Sequence, residues 1–296
     1  MYIEKGKEGS LGMWKYIPLP LAFLGLMAAN YWFVTTFDVD VAAMFEQQIT
    51  EKGKNRFFAE NLLTFVIFLG GLFFWVKFVH RQGIRSLTTS RKKIDWKRIL
   101  FMFILMGLFV VVSVTISYFI DPSQFIWNFD AEKFAILFLL SVLLIPFQTS
   151  FEEYLFRGYM MQGIGLAARN RWVPLVVTSV LFGLMHLANP EVDKIGLIIL
   201  VYYIGTGFFL GIITLMDEGL ELALGFHLAN NLVTALLITA NWTAFQTDSL
   251  FIDMSEPDKS FEVLLPVFVV FPIFIGILAK KYQWTGWKEK LMGKVS

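Results

Sequence analysis

The chain has 296 residues, of which 56% are hydrophobic and 17% charged, with a mean hydropathy of +0.62 and a formal net charge of +1. This is too apolar for an ordinary soluble domain, and no basic face stands out beyond the flanks of apolar runs, so a nucleic-acid partner is excluded. There is no cysteine, which removes disulfides, a thiolate nucleophile and Cys-ligated metals and leaves acid, base, hydroxyl or imidazole chemistry. The composition predicts an all-α polytopic membrane protein, and the succession of apolar runs leaves no room for a separate soluble domain.

Residues 1–15 are polar and precede Tyr16 to Phe37, a run long enough to cross a hydrocarbon core of about 30 Å. It reads as a retained first span rather than a signal peptide cleaved after Ala28-Ala29, since signal cores are shorter. Residues 38–60 form a polar loop able to carry an amphipathic helix, and the second span covers residues 61–79. His80, beside Arg81, reads as an interface residue. Arg81, Arg85, Arg91, Lys92, Lys93, Lys97 and Arg98 are opposed only by Asp95; the positive-inside rule makes this loop cytoplasmic, a determinant of topology and nothing else.

The third span covers 99–120, and 121–133 is a short external loop with Trp127 at interface depth. The fourth starts near Phe134, meets Pro146, where loss of a backbone bond predicts a kink, and continues through Glu152-Glu153 to about Ile164. A basic turn ends at Arg171. The fifth span, from Trp172, stops before Asn189-Pro190; the sixth, about 195–216, holds Gly207 and Gly211 at the spacing that lets helices approach closely. The seventh, from Leu220 to about Ala240, carries His227, Asn230 and Asn231. Residues 241–261 are acidic (Asp248, Asp253, Glu256, Asp258) and external, and an eighth span at 262–278 exits into a basic tail. With about eight spans and both termini cytoplasmic, every basic segment falls inside. The chain divides into N-terminal helices (1–133), a core (134–240) and a last loop, span and tail (241–296).

The fourth span carries the expensive residues. Glu152, Glu153 and Arg157 stand in a chain that otherwise avoids charge in its spans, and each ionisable group at membrane depth costs about 2.5–3.5 kcal/mol on insertion scales. Glu153 and Arg157 are four apart and pair on one helix face. Glu152 is rotated by about 100° and is freer to face another helix. Phe182 and His186 are four apart, as are His227 and Asn231. Counted from the basic turn, Glu152 and His186 lie roughly 18 and 21 Å deep, His227 roughly 10 Å and Asn231 roughly 16 Å. A site there is expected in a wet cavity open to the cytoplasm.

A carboxylate, two imidazoles and a carboxamide can bind and activate water. Glu152 is the candidate base, with Glu153 held by Arg157, His186 orienting the water, and His227 with Asn231 donating to an oxyanion. The bland alternatives are a helix-internal ion pair, core histidines and an interhelical Asn. At Glu152-Glu153-x-x-x-Arg157, Phe182-x-x-x-His186 and His227-x-x-x-Asn231 the chain resembles the CAAX protease and bacteriocin-processing family of intramembrane proteases, also called the Abi or type II CAAX endopeptidase family.

The resemblance covers residues 134–240. It implies an intramembrane endopeptidase using glutamate-activated water, with Glu152, His186, His227 and Asn231 catalytic and Glu153, Arg157 and Phe182 supporting. Glu152, His186 and His227 could in principle supply three zinc ligands, but no His-Glu-x-x-His helix exists, so no metal and no cofactor are expected. The implied partners are a membrane-associated protein or peptide substrate and the lipid bilayer, and the implied location is a bacterial plasma membrane. A non-catalytic immunity or scaffold protein of the same fold remains the alternative. A proton-coupled transporter is a more distant one, since internal repeats and paired broken helices are absent from the sequence.

Overall fold

A computed structural model describes residues 1–256 and 261–296, the side chains of 261 and 262 excepted, and the chain in it is built almost wholly of helices. In chain order these are α1 (Pro18–Thr36), α2 (Val41–Lys52), α3 (Lys54–Phe74), α4 (Ile84–Thr88), α5 (Trp96–Ile120), α6 (Ala131–Glu153) and α7 (Met161–Ala168). They are followed by α8 (Trp172–Leu184), α9 (Pro190–Ile195), α10 (Ile199–Asp217), α11 (Glu221–Leu237), α12 (Phe271–Tyr282) and α13 (Trp287–Met292). Aspartates start several of them: Asp40, Asp95 and Asp130 each accept a backbone amide in the first turn of α2, α5 and α6. Pro146 sits within α6 without ending it.

Five helical stretches are long and apolar enough to cross a membrane: Met13–Thr36, Lys54–Val79, Trp96–Ile120, Ala131–Ala168 and Ile199–Asp217. The protein is therefore an all-α polytopic membrane protein. Its other apolar helices, α8 and α11, are shorter, and α12 is a further short apolar helix. Each of the eight apolar runs of the sequence thus falls on a helix, but among the described residues only five have the length of a full crossing. The outward faces are apolar, as lipid contact requires: α5 exposes Leu100, Ile104, Leu108 and Ile116.

Close helix contacts set the frame around the Glu-Glu stretch. A Cβ on Gly207 of α10 would stand 2.6 Å from the Ser179 carbonyl oxygen of α8, so only glycine permits this approach. Two residues before His227, a Cβ on Gly225 would stand 2.3 Å from the Ile99 carbonyl oxygen, which seats α11 on the first turn of α5. The weak Gly207/Gly211 signal in the sequence thus marks a real helix–helix approach.

Several expectations are corrected. Within residues 1–15, read only as polar, Ile3–Glu8 form a 3₁₀ turn packed on α7, with Tyr2 and Ile3 fully buried. His80 is no interface residue, because it is buried, 4.4 Å from the Tyr16 ring, bonded to the Tyr159 hydroxyl at 2.9 Å and accepting the Ser10 amide through its carbonyl. Nor is the basic loop only a topology determinant. Arg91 pairs with the buried Asp217 at 2.7 Å and the buried Glu221 at 3.0 Å, and Arg98 also pairs with Asp217, which ties the loop to the turn between α10 and α11. At the opposite end three short strands form a sheet the composition did not announce. β3 (Phe251–Asp253) lies between β1 (Phe125–Trp127), antiparallel, and β2 (Ile238–Thr239), parallel. Asp258, assigned to the acidic loop, lies outside the described residues.

Overpacking at the α8–α10 contact should cost about 1–3 kcal/mol. Gly207→Val is expected to lower the unfolding temperature of the detergent-solubilised protein by several degrees. Gly70→Val, where a Cβ meets nothing within 4 Å, should leave it unchanged in the same thermal-shift measurement.

Candidate active site

Glu152 and Glu153 end α6, and the chain then runs through a wide π turn, Tyr154–Met160, in which every residue is buried. Such turns add a residue to the helical repeat and recur at functional sites. Glu153 Oε1 accepts from Arg157 Nη1 at 3.0 Å and from His227 Nδ1 at 2.8 Å. The Arg157 guanidinium lies 4.0 Å from the centroid of the Phe182 ring and donates to the Gly207 carbonyl at 3.3 Å. One fully buried ion pair therefore gathers α8, α10 and α11 around the end of α6. The sequence reading of Glu153 and Arg157 as a pair holds, but it missed His227 as the third member.

Glu152 has a different environment. Its Oε1 accepts from the Gln148 carboxamide, and Gln148 Oε1 in turn accepts from Asn231 Nδ2 at 3.0 Å. Glu152 Oε2 has no hydrogen-bond partner among the described residues and stands 3.8 Å from His227 Nε2. Gln148 was not singled out in the sequence. Its signal was there: a carboxamide one helical turn before the acid pair, inside an apolar run.

His186 donates from Nδ1 to the Phe182 carbonyl at 2.8 Å, and its ring stacks on Tyr203 with centroids 4.2 Å apart and planes 12° apart. A carbonyl only accepts, so in the neutral ring Nε2 is left as an acceptor. His227 is held the same way by Glu153, which leaves its Nε2 turned to Glu152, 3.8 Å from Oε2.

Glu152, Phe182, His186, His227 and Asn231 all line one cavity of about 440 Å³, and Glu153 with Arg157 lies sealed behind it. The direction of that cavity differs from expectation. From the acid it follows α11 past Asn230, Asn231 and Thr234 to Ile238, and it reaches the α8–α9 link, the 240–245 loop and Asp253. No described residue of the basic segments 81–98, 169–171 or 280–294 lines it. It extends toward the acidic end, while at the basic end the N-terminal turn packs on α7 and Arg91 pairs with Asp217 and Glu221.

Among the described residues no three His, Asp or Glu side chains are arranged to hold a metal ion. Both histidine Nδ1 atoms are committed, one to a carbonyl and one to a carboxylate. What the arrangement offers is one unpaired carboxylate oxygen, two imidazole Nε2 atoms and a carboxamide facing shared space.

Comparison with known proteins gives a family. A family model described as type II CAAX prenyl endopeptidase Rce1-like matches residues 131–233, which are α6 to most of α11. Over 239 residues the chain is 30% identical to the uncharacterized protein YyaK of Bacillus subtilis (strain 168), covering 78% of this chain and 80% of that protein. No solved structure matches. Identity at that level over most of both chains, with the family match lying on the helices that hold the acid–histidine cluster, makes this chain a member of the Rce1-like family of type II CAAX endopeptidases, a family of membrane proteases.

Proposed function

We propose that the protein is an intramembrane endopeptidase in which Glu152 activates the water that hydrolyses a peptide bond. The observation that carries this reading is the buried, unpartnered Oε2 of Glu152 beside His227 Nε2 in a cavity that also holds His186. Water bound there donates one hydrogen to Glu152 and the other to His186 Nε2. As Glu152 takes the proton, the water oxygen attacks the scissile carbonyl carbon and a tetrahedral oxyanion forms. The second N–H of Asn231 and a protonated His227 Nε2 are its donors, and the proton passes from Glu152 to the leaving amine as the C–N bond breaks. Gln148 positions Glu152 and Asn231 relative to each other. Glu153 and Arg157 do not touch the substrate; they fix the ring of His227.

In this reading residues 134–240 form the catalytic core, and residues 1–133 and 241–296 surround it and shape substrate access. The mechanism uses no metal or other cofactor. The substrate is a membrane-associated polypeptide, a CAAX-like C-terminus or a leader peptide, and the location is a bacterial plasma membrane. With the basic segments inside by the positive-inside rule, the cavity admits its substrate from the outer face.

Glu152→Gln keeps the shape of the side chain and removes the base. Cleavage of membrane polypeptides is expected to fall by about 10²–10⁴-fold, read as fragments that disappear between membrane proteomes of cells expressing the parent and the variant. Parent activity should survive dialysis against a chelator. Fragments unchanged by the substitution would sink the protease reading, and a protective phenotype unchanged by it would point to an immunity or scaffold role.

The cysteine-free chain allows a direct test of the access side. In intact bacteria a membrane-impermeant maleimide should label Asn241→Cys, at the exposed loop of the cavity end, and should reach Lys92→Cys only after permeabilisation. The reverse labelling pattern would place the cavity mouth on the cytoplasmic side.

A further inference from the structure

Beyond the catalytic groups the cavity carries a second set of polar atoms without partners. Glu191, at the start of α9, accepts the Ala244 amide at 2.8 Å through Oε1, and its Oε2 is solvent-excluded with no partner among the described residues. The indole Nε1 of Trp242, two residues before Ala244 and packed on α9 through Val192 and Ile195, is likewise buried and unpartnered. Both residues line the cavity on its acidic side. Burial pushes the Glu191 carboxyl above its ordinary range, the condition of an acid with no compensating cation. An unpaired carboxylate oxygen in such a place is costly unless a ligand supplies the donor.

The charge of the whole cavity points the same way. Three carboxylates line it, those of Glu152, Glu191 and Asp253, and no lysine or arginine does among the described residues. Tyr202, Tyr203 and Trp242 supply aromatic wall beside Glu191, and an acid among aromatic faces suits a cationic head on an apolar stem. His186 connects the two regions, since its ring is stacked on Tyr203 and Tyr203 is close enough to feel the Glu191 charge.

We infer that Glu191, with Trp242 and Tyr203, forms a subsite that takes a lysine or arginine side chain of the peptide substrate. This rests on the proposed peptidase reading and deepens it: the substrate class is a polypeptide with a basic residue close to the bond that is cut. Glu152, His186, Tyr203 and Glu191 line one cavity of about 440 Å³, which keeps the basic residue near that bond.

The test uses the full-length protein in nanodiscs and a set of short internally quenched apolar peptides, each carrying one lysine at a successive position, with norleucine and glutamate counterparts. The readout is the kcat/KM ratio of lysine to norleucine peptide. A charge-assisted bond predicts a ratio of about tenfold or more at one position near the cleaved bond. In Glu191→Gln that ratio should collapse toward one, and in Glu191→Lys the preference should move to the glutamate peptide, a gain that misfolding cannot produce. A lysine preference that survives Glu191→Gln, or a parent enzyme indifferent to lysine, overturns the subsite. Binding of the same peptides to Glu152→Gln protein, read by fluorescence anisotropy, separates the two ideas. Cleavage that fails while lysine-selective, Glu191-dependent binding persists removes the peptidase and keeps the subsite; equal binding of lysine and norleucine peptides removes the subsite.

Discussion

Everything near the site depends on the ion pair between Glu153 and Arg157, both without solvent exposure. Moving two charges out of water costs several kcal/mol each even after relaxation, and Coulomb attraction alone seldom offsets it. Here the pair recovers the cost by recruiting neighbours. Glu153 accepts from His227 as well as from Arg157, and Arg157 covers the Phe182 ring and donates to the Gly207 carbonyl. Four helices therefore meet at one pair of charges, and removing either partner would strand the other in a medium with no water to receive it. That coupling explains why Gly207 must be glycine: any side chain would push α10 away from α8 and take the carbonyl out of reach of Arg157.

The same pair separates the two acids. Adjacent carboxylates on a helix look equivalent in sequence, yet Glu153 Oε1 is shared by a cation and an imidazole, with its Oε2 unpartnered among the described residues, while Glu152 holds only the Gln148 carboxamide and lines the cavity. A carboxylate with a free oxygen in a cavity can take a proton; one with its charge compensated and its face sealed serves better as an anchor. The division of labour follows from the 100° step between neighbouring helical positions. The π turn that begins at Tyr154 keeps Arg157 under Glu153 while the rest of the turn stays packed.

Much of this was legible before any coordinates. The acid pair, Arg157 four residues on, and the two histidines each with an i+4 partner are spacing statements, and helical geometry fixes what such spacings mean. So were the apolar runs, each of which became a helix. What the sequence withheld was tertiary. His80 read as an interface residue because it neighbours Arg81, but Tyr16 from a distant segment covers it. Arg91 and Arg98 read as determinants of topology alone, and their partners Asp217 and Glu221 lie more than a hundred residues away. Gln148 was within reach, since a lone carboxamide in an apolar run needs a partner one turn on. The partner of His227 was not, because its i+4 neighbour Asn231 was the obvious choice and Glu153 comes from another helix.

The direction of the cavity is the clearest case of information held only in three dimensions. Depth counting places the site between the cytoplasmic half and the middle of the bilayer, which suggested entry from the cytoplasm. Depth measures distance, however, and entry depends on which end is filled. At the basic end the N-terminal turn packs on α7 and Arg91 pairs with Asp217 and Glu221, and no described residue of the basic segments lines the cavity. At the other end α11 stops at Leu237 and gives way to strand and loop, and the cavity reaches Ile238 and the 240–245 loop there. On the proposed peptidase reading a polypeptide entering from that end runs beside Asn230, Asn231 and Thr234 of α11, with Tyr203 and Glu191 in the same lining. The residues along such a route are then also the ones placed to read the chain, and the acidic, aromatic wall at Glu191 is where the proposed selection by charge would act.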